Sequence, residues 1–156
     1  MMIVCFPCIQ YATMGATAKV LSTFLCLITT CIALNYIVPE NLRVAWYGIV
    51  EPHENPCICE TRVDLRFARS IILKTEFPDN SRLKCYMGCT AGRMNFLDMA
   101  TGEWSAKEIN RQMAGVTYKL ASNCINQTAG GSDWCQRSID IFMCIVYGVT
   151  VPVIDY

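Results

Sequence analysis

Histidine is almost missing from this chain: His53 is the one imidazole in 156 residues. A serine or cysteine nucleophile wants a base beside it, and an imidazole set between Pro52 and Pro56 reads as a solvated turn residue instead. Zinc is equally poorly provided for, because zinc sites favour cysteines joined by histidines, or two tight cysteine pairs. Neither sign of charge predominates. Thirteen Lys and Arg stand against thirteen Asp and Glu. The bases are scattered, so the chain has no basic face for nucleic acid and no run to hold an anionic membrane surface. Repeats, low-complexity tracts and runs of alternating apolar and polar residues are also lacking, which leaves a strand-built fold unsupported. These absences argue against an enzyme, a metal or cofactor protein, and a nucleic-acid binder.

Cysteine, by contrast, is plentiful. Of eleven, Cys5, Cys8, Cys26 and Cys31 lie in the first third, and Cys57, Cys59, Cys85, Cys89, Cys124, Cys135 and Cys144 lie beyond it. A small chain this rich in cysteine is expected to be secreted and disulfide-bonded. The start of the chain suggests the route: Lys19 precedes a short apolar run over residues 20–33, the pattern of a signal peptide. Residues 1–34 are therefore assigned to a signal peptide, with 1–13 as an upstream extension if translation starts at Met14. The alternative is that the apolar segment is kept as a membrane tether.

Residues 35–156 read as one all-α domain of short helices. Pro39 suits a first helical turn, and Leu42, Trp46, Ile49 and Val50 recur at helical spacing until Pro52, Asn55 and Pro56 are expected to stop the pattern. Val63, Phe67, Ile71 and Ile72 mark the next helix. Asn80 and Ser81 can cap the one after it. Ser105-Ala106-Lys107-Glu108 fits a capping box, with Ile109 and Met113 turned inward. Gly115 separates that helix from one carrying Val116, Leu120 and Cys124. Asp133 caps the last, whose apolar side holds Cys135, Ile139, Phe142 and Val146. Residues 149–154 are strand-like, with nothing evident to pair with.

Within Leu83-Lys84-Cys85-Tyr86-Met87-Gly88-Cys89, two cysteines four apart share one side of a helix. They are badly placed to bond each other and well placed to bond two different neighbours. Cys135 and Cys144, nine apart, project from opposite sides of a continuous helix. Six cysteines still allow fifteen pairings. Three residues lie between Cys85 and Cys89 and eight between Cys135 and Cys144. With Phe77-Pro78-Asp79 leading in, this pattern resembles the six-cysteine insect odorant-binding proteins.

That resemblance implies six helices around an apolar cavity, with bridges Cys57 to Cys89, Cys85 to Cys135 and Cys124 to Cys144. Both Cys57 and Cys59 are open as the first cysteine. The run from Cys57 to Val63 resembles the family's approach to its second helix, which favours Cys57 and leaves Cys59 free or paired between molecules. The function implied is a secreted carrier that reversibly holds a small hydrophobic odorant or pheromone. A scavenger of amines or lipids, and a membrane-tethered or structural interaction protein, are the alternatives. A membrane chemoreceptor and a second copy of the chain are further candidate partners.

Candidate pocket walls are Phe67, Ile71, Met94, Met99, Trp104, Met113, Leu120, Phe142 and Val153, around a cavity expected near the lower pocket limit of about 300 Å³. Eight methionines suit an adaptable interior. Trp104 and Tyr86 each pair a large apolar body with a hydrogen-bond donor. The apolar tail through Val153 is expected to fold over the cavity mouth as a pH-sensitive lid, held by Asp155 or the terminal carboxylate. Asn126-Gln127-Thr128 is a glycosylation sequon, which makes Asn126 a candidate site.

Overall fold

The computed structural model describes residues 2–3, 33–34, 36–131 and 133–153. The signal-peptide assignment falls almost wholly on residues outside these, as do Ile154, Asp155 and Tyr156, on which the lid's anchor depends. The described residues form two units, divided after Ile37 and after Thr150.

The helical unit runs from Val38 to Thr150 and holds six helices: α1 (Glu40–Thr61), α2 (Leu65–Leu73), α3 (Ser81–Arg93), α4 (Ala106–Gln112), α5 (Tyr118–Gln127) and α6 (Trp134–Val149). The all-α expectation holds. Each helix after the first starts on a polar cap. The side chains of Asp64, Asn80, Ser105, Thr117 and Asp133 accept backbone N–H groups from the first turns of α2 to α6. The capping box at α4 is only half made. Ser105 accepts the Glu108 N–H at 3.2 Å, but the Glu108 carboxylate turns to Arg111 and Gln112 instead.

The first helix departs from expectation. α1 does not stop at Pro52 but passes through both prolines to Thr61, so His53 is a half-buried mid-helix residue and not a turn residue. A buried stripe explains the continuation: Trp46, Val50, Glu54 and Cys57 recur every three or four residues across the prolines. Both proline rings face water. The carbonyls they leave without a helical partner, those of Gly48 and Pro52, also sit on exposed residues where water can serve them. The helix ends at Arg62, in the left-handed conformation, whose N–H bonds the Ile58 carbonyl at 2.7 Å.

α3 is the central element, with most of its residues from Leu83 to Ala91 buried against α1 and α6. Gly88 permits this approach: a Cβ there would stand 2.3 Å from the Trp134 ring. The three bridges fasten the unit. Cys57 of α1 is bonded to Cys89 of α3, Cys85 of α3 to Cys135 of α6, and Cys124 of α5 to Cys144 of α6. They span 32, 50 and 20 residues of sequence, so in the chain-entropy picture each contributes about 3–4 kcal/mol. Cys59 is exposed and free.

The other unit contains four two-residue strands. β1 (Met2–Ile3) pairs antiparallel with β2 (Ala33–Leu34), and β3 (Tyr36–Ile37) with β4 (Val151–Pro152). The strand-like tail does have a partner, in the segment that precedes the first helix. The sequence gives little sign of it, because two-residue pairing leaves no periodicity to read.

Candidate functional site

Between α1, α3, α4 and α6 lies a cavity of about 40 Å³. This is room for on the order of three water molecules, far below the expected 300 Å³. Aliphatic, methionine and aromatic side chains make most of its wall. α1 contributes Ile49 and Val50, α3 contributes Met87, and α6 contributes Ile141, Phe142 and Ile145. Phe142 is fixed between two aromatics, with ring centroids 5.9 Å from both Trp46 and Phe77.

The loop between α3 and α4 supplies Met94, Phe96 and Trp104. Two backbone contacts of its own fold it, since Leu97 bridges Trp104 and the Ser105 N–H reaches the Phe96 carbonyl at 2.8 Å, and the side-chain amide of Gln112 on α4 donates to the Met94 carbonyl at 2.8 Å. Asp98 stiffens the tip by accepting the N–H groups of Ala100 and Thr101, and those two bonds hold its carboxyl below the ordinary carboxylate value.

Of the nine residues expected to line a pocket, Met94, Trp104, Met113 and Phe142 surround this cavity. The others are placed elsewhere. Ile71 is fully buried in the core beyond it, and Phe67 lines a surface groove beside Arg66 and Arg69. Met99 is 54% exposed, its thioether lying over Gly92. Leu120 packs onto Gly148. Val153 belongs to the strand-bearing unit. Thr90 and Ser138, both buried in the wall, were not anticipated. A hydroxyl on an amphipathic helix gives no sign in sequence of whether it faces in.

Tyr86 does not line the cavity. It is completely buried in α3 with no partner for its hydroxyl among the described residues, and burial, helped by the charge of Glu54, pushes its ionisation well above the ordinary phenol value. Glu54 is the buried acid of the described residues. Arg69 grips it with Nη2 at 2.8 Å and the Tyr47 hydroxyl donates to it at 3.2 Å, so its charge is compensated where it lies. Among the described residues no group of side chains is arranged to hold a metal ion. Asn126 is exposed in the last turn of α5, while the Thr128 hydroxyl bonds back to the Cys124 and Ile125 carbonyls at 3.1 Å.

The bridges, the six helices and the apolar centre meet a match to the family model of the PBP/GOBP family over residues 49–147, well over half of the chain. The chain belongs to the insect odorant- and pheromone-binding protein family. Comparison with curated proteins and with solved structures gave no match. PBP/GOBP proteins are secreted binding proteins for small hydrophobic ligands, not enzymes. No helix among the described residues is long and apolar enough to cross a membrane. In this PBP/GOBP chain the matched segment takes in the whole wall of the cavity, from Ile49 to Ile145.

Proposed function

We propose that this chain is a secreted carrier that reversibly holds a small hydrophobic molecule of the odorant or pheromone kind at the centre of its helical unit. The observation that carries the reading is an apolar cavity lined by the family-matched residues, with no charged side chain in its wall among the described residues. The driving force is burial of ligand apolar surface at about 25 cal/mol per Å², so some 200 Å² of ligand supplies on the order of 5 kcal/mol.

A space of about 40 Å³ does not admit such a molecule unchanged. Met87, Met94 and Met113 are the walls suited to move, since unbranched thioethers repack at little cost. The amine-scavenger alternative wants an acid in the pocket, and Glu54 is committed to Arg69 and Tyr47 away from the wall. Displacement of a fluorescent apolar probe from the oxidised protein by a panel of small volatiles tests the carrier reading. Competitive displacement by some of them is the expected result, and failure of the probe and of every volatile to bind would overturn it.

A further inference from the structure

Two tryptophans in the helical unit keep their indole nitrogens from water, and they are treated differently. Trp46, fully buried in α1, donates its Nε1–H to the Ala114 carbonyl at 2.9 Å. Trp104 has its Nε1 sealed from solvent with no acceptor among the described residues. Leaving a buried donor unpaired is unfavourable, and native folds rarely do so without a reason. The Trp104 ring is also part of the cavity wall.

The other polar side chains of that wall have already used their protons. Thr90 Oγ1 donates to the Met87 carbonyl at 3.0 Å and Ser138 Oγ to the Trp134 carbonyl at 2.6 Å. A carbonyl cannot donate, so each hydroxyl offers an incoming molecule only lone pairs. Among the described residues, the side chains that line the cavity thus include one with an uncommitted donor and none with a charge. A carboxylic acid entering it would find no cation, and an amine would find no anion. A pure hydrocarbon would leave the indole unpaired. A neutral molecule carrying an acceptor oxygen would satisfy it.

We infer that Trp104 is the polar anchor of this cavity, its Nε1–H selecting neutral ligands that carry a carbonyl on an apolar body, as ketones, aldehydes and esters do. The inference rests on the carrier reading above and deepens it. The bridge between Leu97 and Trp104 fixes the backbone from which the ring projects. The wall can therefore give way on the methionine side while the donor keeps its place.

The test compares a medium-chain methyl ketone with the terminal alkene of equal heavy-atom number, each displacing N-phenyl-1-naphthylamine from the full oxidised chain and from its Trp104→Phe variant. Phenylalanine keeps an aromatic body and removes the N–H. One hydrogen bond is worth roughly a factor of ten in affinity. The wild-type chain is expected to prefer the ketone by about that factor, and Trp104→Phe to abolish the preference, whatever the smaller ring does to alkene, ketone and probe affinity in common. In the wild-type chain the Trp104 indole N–H resonance is expected to move downfield with the ketone and not with the alkene. Equal affinity for ketone and alkene in the wild-type chain would overturn the anchor and leave the carrier standing. So would a variant that weakens both alike. Absence of binding by probe, ketone and alkene together would overturn the carrier reading itself.

Discussion

Gly88 is small because the Trp134 ring occupies the space a side chain would need. A Cβ at 88 would fall 2.3 Å from two ring carbons and 3.0 Å from Ser138 Oγ. Gly88→Ala is therefore expected to lower stability by about 1–3 kcal/mol through overpacking between α3 and α6, read as a lower urea midpoint by circular dichroism. Gly148→Ala should cost less, because the clashing atoms there are the flexible tip of Leu120. The choice between Cys57 and Cys59 also belongs to this scale. Their sequence context favoured Cys57, but only the winding of α1 shows why: Cys57 continues the buried stripe of Trp46, Val50 and Glu54, and Cys59 points to water. Pocket residues were less legible. Met113 and Phe142 lie on apolar stripes that periodicity reveals, whereas Met99, equally apolar, follows a turn and ends outside.

At the level of elements, the polar caps were the most readable feature, because each rests on a local bond between a short side chain and the next turn. Asn80, Ser105 and Asp133 cap as expected. α1 outruns its two prolines because proline is a local signal and the buried stripe that overrides it is not. Pro52 still withholds an N–H from the Gly48 carbonyl, so Pro52→Ala is expected to raise stability by about 1–2 kcal/mol, net of the entropy regained by the unfolded chain. Equilibrium denaturation of that variant checks the sign. The loop that carries Trp104 is another unit of local order. Its Asp98 carboxyl is depressed by the bonds from Ala100 and Thr101. A carboxyl lowered on folding adds stability that is complete above its ordinary value of 3.8 and is lost as pH falls through the folded value. The gap in urea midpoint between the wild-type chain and Asp98→Asn should accordingly be constant from pH 7 to 5 and close below pH 4.

For the molecule as a whole, cysteine spacing and resemblance carried the reading furthest, since they fixed which helices are neighbours without requiring every boundary to be right. Volume was out of reach. The cavity is about 40 Å³, a volume set by how the side chains around it pack, which no spacing encodes. Residue types alone also gave no sign that the tail would find a strand partner at Tyr36–Ile37. The bare thiol on α1 has a further consequence, for the order of events during folding. An unwound chain cannot tell two thiols two positions apart from each other, and either can capture Cys89 with nearly the same loop-closure entropy. Oxidation before α1 has coiled therefore yields a mixture of crosslink isomers, whereas oxidation afterwards yields one. The spare sulfur then becomes the nucleophile that can repair the mistake by exchange.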